Sequence, residues 1–301
     1  MPCYNESKFL YEALNSIKVQ DFTDYSVRIY DDCSTDTSFD IGVEFCRDDE
    51  RFEIVRNKSR MGLVENFRLS LNDSNSEFFM WMGAHDLLES NYLFELVGML
   101  DRDPRLAAAF PKIKILKPGG EVTVENWHKN LSKPLSQTQN YLQSIGAGRS
   151  RSTHLHSVFR REYIKDFGNF KWNTAAFDLV LLTRVEYFGT ASNTNTSYIR
   201  RSWDESKMIT HKGSGASTRY FESTNKQYGL KRLTYVPLYQ MYIHDLFKLP
   251  ITFKQKIGNL PVLIYLVTQK FQINLISNLL IYLWDSFLFY LRKSLRRKKL
   301  S

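Results

Sequence analysis

The sequence predicts an α/β protein whose mostly parallel sheet is covered by helices on both faces, followed by a C-terminal helical region. Two observations carry this. Over the first 110 residues, short apolar runs of strand length alternate with stretches of helical periodicity, the pattern of repeated β-α-β units. From about Leu233 the composition shifts to large apolar residues with few acids. A chain of 301 residues is long enough for one large domain or two small ones with a sizeable core.

The elements follow in order. Phe9, Leu10, Ala13, Leu14 and Ile17 recur at helical spacing. Val27, Ile29 and Tyr30 read as a strand ending at Asp31-Asp32, and Asp36 or Thr37 is placed to cap a second helix through Ile41, Val43 and Phe45. Phe52, Ile54 and Val55 suggest another strand, and Gly62 opens a third helix. Phe78 to Met82 suits a buried strand that ends at Gly83-Ala84-His85-Asp86. A helix from about Asn91 to Leu100 and the apolar run Leu106 to Phe110 come next. Lys112 to Val122 reads as a hairpin turning at Pro118-Gly119-Gly120. Residues 124–152 are polar, with one helix near Leu142; Val158 to Phe167 and Phe177 to Phe188 look helical. Residues 205–227, rich in Ser, Thr, Gly and Lys, read as a mobile segment.

The net charge of +9 is concentrated at one end: residues 292–301 carry six basic side chains and no acid, and without them the body is at about +3. This is not the uniform basic surface of a nucleic-acid binder. Residues 273–291 are apolar-rich but contain Asp285, which is costly inside a bilayer. An in-plane amphipathic helix with a basic tail fits better, and a helical hairpin packed on the main domain is the other reading. Cys3, Cys33 and Cys46 are odd in number with no C-x-x-C spacing, so a reducing compartment is expected. The polar opening is expected to carry no secretory signal.

Three clusters can carry chemistry. Asp31-Asp32-Cys33-Ser34-Thr35-Asp36 lies between a strand and a helix, where open α/β sheets bind ligands. Its carboxylates suit base N–H groups or ribose hydroxyls, or the loop simply caps the helix. His85 and Asp86 are candidate ligands for a divalent cation, Mn²⁺ accepting both oxygen and imidazole and Mg²⁺ preferring oxygen; the other reading is a loop histidine beside a capping aspartate. Asp178, at the front of an apolar helix, is either a dipole partner or a base for a hydroxyl. Arg160, Arg161, Arg184, Arg200 and Arg201 are candidates for phosphate contact or ordinary surface charges.

Taken in order, these pieces resemble the family 2 glycosyltransferases, which have the GT-A fold. Pro2-Cys3-Tyr4-Asn5-Glu6 is similar to the opening P-x-Y-N-E, and DDCSTD at 31–36 to the family's DDGSTD, with Cys33 in place of glycine. NKSRMG at 57–62, followed by Glu65-Asn66, resembles the N-x-G segment before a helix. Trp81 to Leu87 occupies the place of the D-x-D metal motif, and HSVFRR at 156–161 and FDLVLLTR at 177–184 resemble acceptor-side segments. The likeness covers about residues 1–203.

The resemblance implies a nucleotide-sugar-binding half over 1–115, an acceptor-binding half over 116–204, and a mobile segment with the apolar, basic helical region over 205–301. It implies a nucleotide site of Tyr4, Glu6, Asp31, Asp32 and Arg60, a divalent cation (Mn²⁺ or Mg²⁺) at His85 and Asp86, and Asp178 as base of an inverting transfer. The acceptor would be a glycan or lipid-linked hydroxyl at the cytoplasmic face of the cell membrane, reached through the basic tail. Three departures stand out. The D-x-D position reads Gly83-Ala84-His85, the E-D pair reads Phe177-Asp178, and Met1 directly precedes the motif that a central strand normally leads into. The last suggests a start further upstream or a fragment; the first and the last also suit a nucleotide-sugar or partner-binding protein without turnover.

Overall fold

The computed structural model describes residues 1–125, 136–147, 152–167, 177–202 and 236–271. The expectations for 205–227, for the apolar stretch 273–291 and for the basic tail lie outside these residues.

The α/β class holds, with the strands divided between two sheets. Strands β1 (Pro2–Cys3), β2 (Val27–Asp31) and β3 (Phe52–Arg56) form a parallel sheet in that order. They are linked by helices α1 (Leu10–Lys18) and α2 (Ser38–Arg47), and α3 (Leu63–Asn72) follows. Helix α1 buries Leu10, Ala13, Leu14 and Ile17, one stripe at the spacing expected of an amphipathic helix. Short as it is, β1 is seated in the sheet, with the Met1 carbonyl accepting from Tyr30 N at 2.8 Å.

The second sheet is mixed. Its order is β4 (Phe78–Phe79), β8 (Val158–Arg160), β6 (Ala108–Leu116), β9 (Thr190–Arg201) and β5 (Leu87–Leu88), with β7 (Val122–Val124) also on β6. Only β6 and β9 run parallel. They are separated by a crossover long enough to hold α5 (Gln137–Ala147) and α6 (Phe177–Phe188), as parallel pairing requires. The β6–β7 hairpin turns where the glycines suggested: Gly120 has φ +82°, open to glycine without strain. Helix α4 (Tyr92–Arg102) covers this sheet, and α7 (Val236–Lys248) and α8 (Phe253–Phe271) follow in the C-terminal region.

Two expectations change. Residues 158–160, expected to be helical, form β8 between β4 and β6, followed by one 3₁₀ turn. All three are buried, and so short a run gives periodicity too little to decide between the two forms. The run 78–82 contributes only two strand residues, after which the chain leaves the sheet to build the loop described below.

Two apolar clusters hold the fold. One gathers α1, α2, α4 and the parallel sheet; the other gathers α3, α5, α6, α7 and α8 around Trp81. Trp81 is fully buried, donates its indole N–H to Ser70 Oγ at 3.0 Å, and meets Phe79 and Phe159 edge-on. Truncating it to alanine would cost about 3–5 kcal/mol. No helix among the described residues is long and apolar enough to cross a membrane.

Candidate functional site

The loop after β2 is closed by its own side chains. Asp31 is fully buried, its carboxylate accepting from Ser34 N at 3.2 Å and lying 3.3 Å from Arg56 Nε. Asp32, also buried, accepts three hydrogen bonds: from Asn57 Nδ2 at 2.9 Å, Met61 N at 2.7 Å and Gly62 N at 2.7 Å. It therefore fixes the 57–62 segment at the mouth of α3, where Gly62 has φ +85°. Asp36 does what the capping reading asks, accepting from Ser38 N and Ser38 Oγ at the start of α2.

The loop after β1 is sewn to this one. Asn5 N and Glu6 N donate to Ser34 Oγ (3.0 Å) and Ser38 Oγ (2.7 Å), Ser7 N donates to Asp36 Oδ2 (3.1 Å), and Thr35 N donates to Asn5 Oδ1 (2.8 Å). Asn5 and Cys33 both have positive φ, +56° and +59°. Asparagine tolerates that region; for cysteine it costs on the order of 1–2 kcal/mol. The family pattern places glycine where Cys33 stands, and the backbone here has the conformation that favours one. The half-buried Tyr4 ring carries the exposed guanidinium of Arg60, 4.0 Å from its centroid, a stacked pair beside the ends of β1 and β2.

The loop after β4 meets these residues through Glu6. Glu6 Oε1 lies 2.9 Å from His85 Nδ1, which must donate to a carboxylate, and His85 Nε2 lies 3.7 Å from Asp86 Oδ1. Burial acts to lower the His85 pKa, but the Glu6 hydrogen bond and the charges of Asp86 and Glu6 raise it above its ordinary value. The buried Asp86 is anchored from β9: Oδ2 accepts from Tyr198 Oη at 2.6 Å and Oδ1 from Arg201 N at 2.8 Å. Gly83 N donates to the same Tyr198 oxygen at 3.1 Å. Tyr198 stacks on His156, with ring centroids 4.6 Å apart and planes within 3°. His156 Nδ1 faces the Trp81 carbonyl at 3.0 Å and must donate to it; desolvation lowers its pKa, which keeps the ring neutral.

The structure thus joins Glu6, His85 and Asp86, pairs Tyr4 with Arg60, and buries Asp31 and Asp32 beneath the loops. Asp178 stands on the first turn of α6, nearly buried, and its charge helps raise the pKa of Tyr242, after the larger effect of burial. Its neighbour Phe177 packs against Phe67 and Trp81, which links α6 to the 81–86 segment. The candidate arginines separate. Arg160 is buried on the Leu100 and Leu106 carbonyls, and Arg184 is buried beside Asp166 and Asp245. Arg161 lines a groove with Glu77 and Lys165. Arg201 pairs with Glu12. Arg200 is exposed, with no carboxylate partner among the described residues. Sequence reasoning missed Tyr198, which sits in a polar stretch without any strand signal; His156 was visible only as the first residue of HSVFRR.

The expected metal ligands, His85 and Asp86, do come together, as a pair of donors with His85 Nε2 3.7 Å from Asp86 Oδ1. Each Asp86 oxygen accepts one hydrogen bond from β9 and keeps a lone pair, and the Glu6 contact on His85 Nδ1 fixes the ring with Nε2 open, as the second shell of a metal-ligating histidine does. Position 83 offers no side chain, and a Cβ there would lie 2.5 Å from Asp86 Oδ2. Among the described residues no group of three His, Cys, Asp or Glu is placed to hold a metal.

Comparison with known proteins gives this arrangement its context. The putative glycosyltransferase EpsH of Bacillus subtilis is 22% identical over 54% of this chain and 46% of its own length. The poly(ribitol-phosphate) β-N-acetylglucosaminyltransferase TarS of Staphylococcus aureus is 30% identical over 34% of this chain and 18% of its own. The chain therefore spans less than half the length of these relatives. Among solved structures, S. aureus TarS 1–349 in complex with UDP-GlcNAc superposes with a TM-score of 0.60 at 16% identity, over 89% of this chain and 71% of that one. The mannosyltransferase PcManGT of Pyrobaculum calidifontis, in complex with GDP-Man and Mn²⁺, gives 0.50 at 13% identity, over 95% and 78%. At these identities the likeness is one of fold, and the fold is GT-A. The family model for glycosyl transferase family 2 matches residues 1–168, more than half of the chain and every loop of the site around Glu6, so this protein belongs to glycosyl transferase family 2.

Proposed function

We propose that this chain transfers a sugar from a nucleotide-diphosphate sugar to a hydroxyl of a glycan or lipid-linked acceptor, with inversion at the anomeric carbon and Asp178 as base. The observation that carries the reading is the convergence of the loops after β1, β2 and β4 on Glu6, Asp31 and His85, at the strand ends where α/β sheets take their ligands. TarS, which shares the fold, is seen with UDP-GlcNAc, and this supports a nucleotide-sugar donor here.

In this reading the Tyr4–Arg60 pair offers a stacking surface to the base. The rigid mesh around Asp31 and Asp32 holds the loop backbone against the ribose. In one displacement the acceptor oxygen forms its bond to the anomeric carbon as the bond to the diphosphate breaks, and Asp178 takes the hydroxyl proton. Phe177, wedged on Trp81, fixes the turn that carries Asp178. Asp178→Asn is expected to lower transfer by about 10²–10⁴-fold with nucleotide affinity unchanged, read by release of nucleoside diphosphate from a panel of donors. An unchanged rate would remove Asp178 from the base role.

The proposed location is the cytoplasmic face of the membrane. Helix α8 exposes Phe253, Ile257, Val262 and Tyr265 and contains no acidic residue, and the six basic residues of 292–301 follow in sequence. Deleting 292–301 is expected to weaken binding to anionic vesicles in a salt-sensitive way; equal binding by the shortened chain would rule out an electrostatic anchor.

A further inference from the structure

An inverting displacement puts the transferred sugar between two groups: the diphosphate that leaves, and the acceptor oxygen with its base on the opposite face of the ring. One residue of this chain stands between the elements assigned to those groups. His156 ends the 3₁₀ turn Ser152–His156, just ahead of β8. Strand β8 runs antiparallel to β4, with Phe159 opposite Phe79, so His156 lies at the end of the sheet where the chain leaves β4 for the 83–86 loop. The same turn packs on α6, whose first turn carries Asp178.

The His156 ring is anchored on two sides. It stacks on Tyr198, whose hydroxyl holds Asp86, and its Nδ1 donates to the Trp81 carbonyl at 3.0 Å. The backbone is fixed as well, the His156 carbonyl accepting from the Tyr92 hydroxyl at 2.5 Å. A neutral imidazole carries one proton, so donation from Nδ1 leaves Nε2 as a pure acceptor. Nε2 lies across the ring from Trp81. No group among the described residues hydrogen-bonds it, and the side chain is only partly buried, so this lone pair is not sealed in the core. The charges of Asp86, Arg200 and His85 all reach the ring, which sets it beside the 83–86 loop. The fold therefore uses the ring face and Nδ1 and leaves one rigidly held acceptor at the site. We propose that His156 reads the transferred sugar, its Nε2 accepting a hydrogen bond from a hydroxyl of the sugar carried on the nucleoside diphosphate. The inference rests on the nucleotide-sugar reading above and adds a residue that tells one sugar from another, because a site built to pair a substrate hydroxyl rejects analogues that lack it.

The test is calorimetric titration of the full chain in Mn²⁺, first with UDP and GDP, then with UDP-GlcNAc, UDP-glucose, UDP-galactose and GDP-mannose. The sugar nucleotide bound most tightly is then titrated into three variants. His156→Asn keeps an N–H near the Nδ1 position for the Trp81 carbonyl and removes Nε2. It should weaken the sugar nucleotide about tenfold, the loss of one hydrogen bond, while the bare nucleoside diphosphate changes by less than about twofold. His156→Phe, which keeps the stack on Tyr198 and also lacks Nε2, should show the same selective loss. His156→Gln places an amide oxygen near the Nε2 position and should stay within about threefold of the parent. Circular dichroism checks that each variant is folded. Equal weakening of the sugar nucleotide and the bare diphosphate would make His156 a support of the 83–86 loop, which overturns the inference and leaves the proposed function standing. A sugar nucleotide bound as tightly by His156→Asn and His156→Phe as by the parent would overturn it too. No binding of any of these nucleotides by the folded parent would overturn the proposed function and this inference together.

Discussion

The loop after β2 and the loop after β4 are joined through Glu6, yet they are built on opposite principles. The first follows the family pattern closely, and its acidic residues act as struts: Asp32 alone orders Asn57, Met61 and Gly62. The second departs from the family pattern, and its remaining carboxylate has been captured by β9 through Tyr198. A matching motif and an altered motif are therefore equally structural here. The difference is that the first orders backbone between two neighbouring strands and a helix, while the second ties the 83–86 loop to β9.

The comparison can be broken at its strongest strut. Asp32→Ala would leave Met61 N and Gly62 N without their acceptor in a buried loop and the Asn57 amide with only Asn66 Oδ1, and is expected to destabilise the protein by about 2 kcal/mol or more, at 1–3 kcal/mol per orphaned group. Urea denaturation reads this directly; a change under 1 kcal/mol would mean that the loop relaxes or water replaces the carboxylate. Tyr198→Phe removes one hydroxyl that serves both Asp86 and Gly83, and is expected to cost about 1–2 kcal/mol. A variant as stable as the parent would show that the 83–86 loop does not depend on the Tyr198 hydroxyl. Cys33→Gly acts in the other direction. It relieves the positive φ at Cys33 but gives up the thiol contact with the Asn57 carbonyl at 3.2 Å. The net gain is expected to be about 0.5–1 kcal/mol, seen as a raised urea midpoint, and a loss of stability would mean that the thiol contact outweighs the backbone strain.

Much of this was legible beforehand, and the exceptions have physical causes. Helices α1, α3, α4 and α6 follow from apolar spacing, and the β6–β7 hairpin from Pro118-Gly119-Gly120. Strand β9 was not legible. Its sequence, Thr190 to Arg201, is mostly Ser, Thr and Asn until Tyr198-Ile199, and it is a strand because β6 and β5 flank it on either side. Propensity says little about a strand whose stability comes from its neighbours. The same applies to the site. DDCSTD could be found by eye, but which aspartate serves as a strut and which caps a helix depends on partners up to 30 residues away. The five candidate arginines likewise separate only once their partners in the fold are known.

The central claim is that the loops after β1, β2 and β4, with the 57–62 segment, form one nucleotide site. Amide hydrogen exchange of the full chain, with and without the nucleotide found to bind, tests this most directly. Protection is expected at residues 3–7, 31–38, 57–62 and 83–86 together, with the exposed helix α8 unchanged. Protection confined to other segments, at nucleotide concentrations that saturate the protein, would contradict the account.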